Sequence, residues 1–202
     1  MSFDVEFFRL PDGIELDEVN RFLLSEEYEQ FCRELEAREE EDEDADLPPL
    51  PDKYVDTSVS REELERLIGR AFLRLTVPED NRSEELKKYI ESDANVEVPE
   101  EWEEVLEEFF EWSGAPGTLP FCFTLGDDIK EILTTMAQIL EELQSHRIVL
   151  YDPQLDKVID GTNAHEQLMA SADEAWSMYA EVVQALLSGD LVLEDDDEDE
   201  ED

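Results

Sequence analysis

Asp152, Asp156 and Asp160 come nearest, by type and spacing, to a metal site, because carboxylate oxygens gathered on a turn are what calcium takes. The spacing argues against it. A calcium loop opening at Asp152 needs glycine where Lys157 stands and glutamate where Asn163 stands. His146 and His165 are the only histidines, and either can be drawn as a general base beside one of many acids, which chance alone supplies in this composition. His146 falls near the end of a predicted helix, where a cation is favourable. Pairs of carboxylates for glycosidic chemistry need one acid set in an apolar pocket, and with 59 Asp and Glu in 202 residues pairing by itself singles out none. The phosphate-binding and nucleophile motifs G-x-G-x-x-G, G-x-x-x-x-G-K-S/T and G-x-S-x-G are absent, and 7 glycines leave little material for a phosphate-cradling loop. Cys32 and Cys122 lie 90 positions apart with no Cys or His nearby, which predicts two free thiols in a reducing compartment rather than a zinc knuckle or redox pair. The expectation is no catalytic residue, no cofactor and no metal.

The residues that stand out instead are glutamates. Over 101–112, Trp102, Val105, Leu106, Phe109, Phe110 and Trp112 are predicted to face inward, with Glu101, Glu103, Glu104, Glu107, Glu108 and Glu111 outside. The aromatic stripe suits either a stacking platform or core packing, and core packing is the more economical reading. The six outer glutamates are the candidate binding face for a basic partner.

The whole chain carries 15 Lys and Arg, for a formal net charge of −44. Direct binding to nucleic acid or an anionic membrane is disfavoured, because each is a polyanion that this surface repels. Seven of the eight residues 39–46 are acidic, as are all nine of 194–202, and both runs are expected to be disordered. Without those 16 acids, 43 remain against 15 bases, so the folded part is itself acidic at −28. Hydrophobic residues at 41% still suffice for a core. The first ten residues lack the basic and apolar pattern of a secretory signal and no segment is apolar enough to span a membrane, so a soluble cytoplasmic protein is expected.

The elements that must position these side chains follow from periodicity. Phe3, Val5 and Phe7 alternate with Asp4 and Glu6 as in a half-buried strand over 3–9. From Leu16 to Leu35 the apolar spacing is helical, with a break near Ser25 that allows that serine to cap a second helix. Residues 38–58, which include Leu47-Pro48-Pro49-Leu50-Pro51, read as a loop or linker. Ser60 and Glu63 have capping-box spacing ahead of a helix with Leu64, Leu67, Ile68, Ala71, Phe72 and Leu75 on one stripe. A shorter helix over 83–90 points Leu86, Tyr89 and Ile90 inward. A strand is predicted over 119–125, with Pro120 marking its start or a sheet edge. A helix with Ile129, Leu133, Met136 and Leu140 inward follows, then a hairpin over 147–151 and 157–160 across an Asp-Pro turn. A last helix over about 164–187 is expected to bury Leu168, Ala172, Ala175, Trp176, Tyr179, Val182, Val183 and Leu186. The predicted architecture is α+β, about six helices on a small mixed sheet. It forms one domain over 1–193, with 194–202 as a tail.

Ile148-Val149-Leu150-Tyr151-Asp152-Pro153-Gln154, the helix before it and the opening Met1-Ser2-Phe3-Asp4-Val5 together resemble small uncharacterised bacterial α+β proteins. Those begin with a short Phe-Asp or Tyr-Asp strand and carry a hydrophobic-Tyr-Asp-Pro-Gln turn. The resemblance implies that both segments share one sheet, and it carries over no catalytic residue. The acidic insert at 39–46 departs from the pattern.

Charge and patterning favour a non-enzymatic acidic binding module that occupies a basic surface on a nuclease, toxin or DNA-binding protein, as immunity proteins and nucleic-acid mimics do. Two other classes compete with it. One is a protein adapted to high salt, for which Arg outnumbers Lys by 10 to 5. The other is an enzyme or small-ligand receptor, which a deep pocket holding an acid of strongly shifted pKa would favour.

Overall fold

The computed structural model describes residues 2–39, 48–92, 96–110, 115–124 and 129–188. The acidic run beyond residue 39, the acidic tail, Glu111 and Trp112 lie outside them. Among the described residues the fold is α+β, with seven α-helices and one four-stranded sheet. In chain order the elements begin with strand β1 (Ser2–Arg9), helix α1 (Leu16–Leu23), helix α2 (Glu26–Glu39) and helix α3 (Arg61–Thr76). Helices α4 (Glu84–Glu91) and α5 (Glu100–Phe109) come next, then strand β2 (Thr118–Thr124) and helix α6 (Ile129–Leu143). Strands β3 (Ile148–Asp152) and β4 (Lys157–Ile159) and helix α7 (Ala164–Ser188) complete the order. The break at Ser25 is real and makes the helices seven: its hydroxyl donates to the Phe22 carbonyl at 2.6 Å and accepts the Tyr28 N–H at 3.4 Å.

Strand order is β2-β1-β3-β4 and every pairing is antiparallel, which corrects the mixed sheet expected from sequence. Strands β1 and β3 are direct neighbours, with Phe7 opposite Leu150 and Glu6 opposite Tyr151. Pro120 stands opposite Glu6 on edge strand β2, where the missing N–H breaks no interior ladder. The opposite edge is guarded by a side chain: Asn20 of α1 accepts the Val158 N–H at 2.8 Å and donates to the Val158 carbonyl at 3.1 Å.

Both faces of the sheet are covered, so β1 is more than the half-buried strand its alternation suggested. On one face Val5, Phe7, Leu119, Ile148 and Leu150 pack against α3, α6 and α7, through Leu64, Ile68, Leu133, Ile139, Leu140 and Leu168. On the other, Phe8, Val149, Tyr151 and Val158 pack against Val19 and Phe22 of α1, Tyr28 of α2, and Leu50, Tyr54 and Val55. All five residues of β3 are buried, the period-two consequence of a strand sandwiched between two layers. Residues 48–58 form no regular element, as a loop over 38–58 predicts, yet Leu50, Tyr54 and Val55 are buried and supply part of the second core. The stretch runs through turns, one closed by the Tyr54 N–H donating to the Pro51 carbonyl at 2.8 Å, and the Asp56 N–H donates to the Arg9 carbonyl at 2.9 Å, fastening it to the end of β1.

On α3 and α7 one inward assignment each fails. Leu75 on α3 is 38% exposed and Trp176 on α7 is 43% exposed. Leu73, off the predicted stripe, is fully buried because α4 covers α3 from a second direction, forming a third apolar cluster of Leu73, Val77, Leu86, Tyr89, Ile90 and Leu106. The side chains of Tyr179, Val182, Val183 and Leu186 lie outside what is described.

Candidate functional site

The third cluster sits under a groove whose two walls are α3 and α5. Helix α3 starts where its cap dictates: Ser60 Oγ accepts the Glu63 N–H at 3.2 Å. Gly69 on the same helix is buried, and a Cβ there would stand 3.3 Å from Leu106 Cδ1 and 3.4 Å from the Phe110 ring, so its lack of a side chain sets how closely α5 approaches. Arg61 fixes the far end of α5, donating from Nη2 to the Phe110 carbonyl at 2.9 Å, a cation on the carbonyl end of a helix. Ser83, which caps α4 by accepting the Leu86 N–H at 3.1 Å, donates its hydroxyl to Glu101 Oε1 at 2.9 Å and ties the start of α5 to α4.

These ties hold α5 along a narrow line. Of its predicted inward stripe, Leu106 is buried, Trp102 and the adjoining Phe110 are half-buried, and Val105 is 39% exposed, which corrects its inward assignment. The helix leans on α3 through one residue per turn, and Val105 falls beyond that contact. The sequence pattern described an amphipathic helix with a broad inward stripe, whereas the described part of α5 buries only Leu106 fully.

Its glutamates are divided between structure and solvent. Glu100, Glu101, Glu103, Glu104 and Glu107 are exposed, and no basic residue occurs in the helix. Glu101 is partly engaged, since Trp102 Nε1 also donates to its Oε1, at 3.2 Å. Glu103 and Glu107, one turn apart, line the groove, while Glu101 and Glu104 do not. The Glu108 side chain and Glu111 lie outside the described residues, so the predicted six-residue face is seen at four positions.

The groove encloses about 580 Å³, within the range of small-ligand and peptide sites. Its floor is Tyr89, Val96, Val98, Leu106 and Phe110, and its rim carries six glutamates: Glu62, Glu63 and Glu65 from α3, Glu97 from the segment before α5, and Glu103 and Glu107 from α5. Among the described residues lining it, Arg66 is the one base. Glu65 is held by Arg61 Nε at 2.7 Å. Hydrogen bonds from its own backbone and from Ser60 hold the Glu62 carboxyl below the ordinary glutamate range. Glu62, Glu63, Glu65 and Glu97 belong to the site and were not anticipated: the capping box named Glu63 for a structural reason, and nothing in the sequence brings α3 beside α5.

The other chemically suggestive residues lie elsewhere. Asp152 and Asp156 do not converge on an ion. The exposed Asp156 accepts hydrogen bonds from Tyr28 at 2.9 Å and Tyr151 at 3.2 Å, while the two buried tyrosine oxygens are 2.5 Å apart, a knot joining α2 to the hairpin. Burial, first of all, raises the pKa of both phenols. Asp152 accepts the Gln154 N–H at 2.9 Å to shape the turn, and Asp160 accepts the Thr162 N–H at 2.7 Å. Burial pushes the Asp152 carboxyl up to about 6, and its Oδ2 has no hydrogen-bond partner among the described residues. Glu6 is raised to about 7 by burial, against the opposing pull of the Thr118 hydroxyl, and its Oε2 is likewise without a partner. Neither Glu6 nor Asp152 lines the groove. His146 is exposed, and His165 Nε2 stands 3.3 Å from Thr134 Oγ1. Cys32 and Cys122 are not joined in a disulfide. Among the described residues no three His, Cys, Asp or Glu are gathered as metal ligands, and no helix is long and apolar enough to cross a membrane.

No protein-family model matches this chain, and neither the curated proteins nor the solved structures include a match to it.

Proposed function

We propose that this protein is a non-catalytic acidic binding module that engages a basic surface of a protein partner, such as a nuclease, a toxin or a DNA-binding protein, through the α5 side of the molecule. The observation that carries the reading is a helix with five exposed glutamates and no base, on a chain of net charge −44. A field of that sign steers cationic partners to encounter and repels polyanions. The glutamates face solvent on a helix fixed by Gly69, Arg61 and Ser83, so a partner meets a preformed array and little ordering is spent on binding.

Capture from lysate at low salt, elution across a salt gradient and mass spectrometry test the reading, with the full chain, residues 1–193 and the variant Glu103→Lys, Glu104→Lys, Glu107→Lys compared. One basic protein retained by the first two, released by salt and lost from the charge-reversed variant is the expected result. Retention that survives charge reversal, or that vanishes with the tail alone, rejects it.

A further inference from the structure

Resting on that reading, we propose that the groove between α3 and α5 is the point of engagement, and that it takes a short segment of the partner carrying an arginine or lysine beside a large apolar side chain. A flat acidic face attracts any cation. This site is concave, and its floor and rim differ in chemistry: Val96, Val98 and Leu106 below, carboxylates on both walls above. Arginine and lysine are built in the same two parts, an apolar stem that packs on hydrocarbon and a charged head that stays at a polar boundary. A basic side chain laid across the floor brings its head between Glu103 and Glu107 of α5 and Glu62 and Glu63 of α3, while a neighbouring apolar side chain of the same segment covers Leu106 and the half-buried Phe110. Charge complementarity selects this occupant over a second copy of the chain, which would bring the same negative charge to the rim. It also separates the site from a nucleic-acid mimic, whose carboxylates need only copy phosphate positions and have no use for an apolar floor.

Two pairs of glutamates on α5 make the test symmetrical. Glu103 and Glu107 line the groove, and Glu100 and Glu104 stand at the same four-residue spacing on the same helix outside it. The probe is a fluorescein-labelled eight-residue peptide of alternating arginine and leucine, titrated with the full chain by anisotropy at about 150 mM salt, where exposed long-range attraction is largely screened. An arginine–serine peptide of equal charge and the polyamine spermine serve as competitors. Binding of the arginine–leucine peptide about tenfold tighter than the arginine–serine peptide is expected. So is a loss of about tenfold in Glu103→Gln, Glu107→Gln, against less than about twofold in Glu100→Gln, Glu104→Gln. Equal weakening by the two pairs overturns the groove while leaving the broader acidic reading in place. Equal affinity for the two peptides, or displacement by spermine as effective as by unlabelled arginine–leucine peptide, overturns the role of the floor. Absence of peptide binding overturns the groove, and the broader reading then falls or stands by the charge-reversed lysate capture.

Discussion

Carboxylates occupy two opposite settings in this molecule. Around the groove, Glu103 and Glu107 are in water on a helix whose only buried described side chain is Leu106. In the sheet, Glu6 stands between Pro120 and Tyr151 of the neighbouring strands, with one oxygen unpartnered, and Asp152 is fully buried at the hairpin turn. An exposed carboxylate keeps its hydration and adds to the field a partner senses, at little cost to folding. A buried one loses hydration and resists ionisation. The same residue type is therefore available for binding in one region and is a stability term in the other.

The largest effect that separates the regions comes from the foot of α5. Leu106→Ala removes the floor of the groove and a buried contact with Gly69, and is expected to cost about 2–4 kcal/mol by urea denaturation. Val105→Ala, one position away and exposed, is expected to change stability by less than about 0.5 kcal/mol. Equal costs at the two positions would contradict the narrow docking of α5 and with it the groove.

Glu6 gives the next effect, and its sign is the reverse of the usual one for an acid. Its folded pKa of about 7 lies above the unfolded value of 4.5, so between those values the native state binds more protons than the unfolded state. Its contribution is therefore fully present below about pH 4.5 and is lost as pH rises through 7. On the order of 3 kcal/mol is at stake from the size of that shift. Glu6→Gln removes the titration, and the measurement is its difference in urea midpoint from the parent at pH 5 and pH 8. Repulsion among the other acids is common to both chains and drops out of that difference. The variant is expected to gain on the parent as pH rises, and a constant difference across that range would place Glu6 in an ordinary surface setting.

These contrasts also mark what was legible in the sequence. Local signals carried far: the Ser60 cap, the short helix after residue 83, the break at Ser25, the Asp-Pro hairpin and the stripe of α6 each depend on residues within a turn or two of one another. Over the described part of 101–112 the glutamates are outside and Leu106 inside as read, but an apolar stripe does not say how wide a partner it meets, and Gly69 sits against Leu106 and Phe110 while Val105 is exposed. Leu50 and Tyr54 were hidden for a related reason, since a proline-rich segment shows no period and its burial comes from a strand face about a hundred residues away. Glu6 looked like the outward half of an alternating strand. Its burial depends on β2 and β3 flanking β1, a pairing that one chain's periodicity does not determine. The groove needs α3 and α5 together, so only its α5 half was visible beforehand.

The smallest expected effect sharpens the comparison most. Glu103→Gln, Glu107→Gln should leave stability within about 0.5 kcal/mol of the parent, with a slight gain, because like charges four residues apart on a helix repel by a few tenths of a kcal/mol. That gain should shrink toward zero as salt rises to about 0.5 M, where repulsion between exposed charges is screened over a few ångströms. The sheet variant behaves differently on both axes: the Glu6→Gln difference follows pH and comes from lost hydration, which salt restores poorly. Urea midpoints of the two variants on a grid of pH and salt resolve the two classes of carboxylate. If removing the groove glutamates instead destabilised the chain by 1 kcal/mol or more, those residues would be holding α5 in place, and their exposure would have a structural cause rather than a partner.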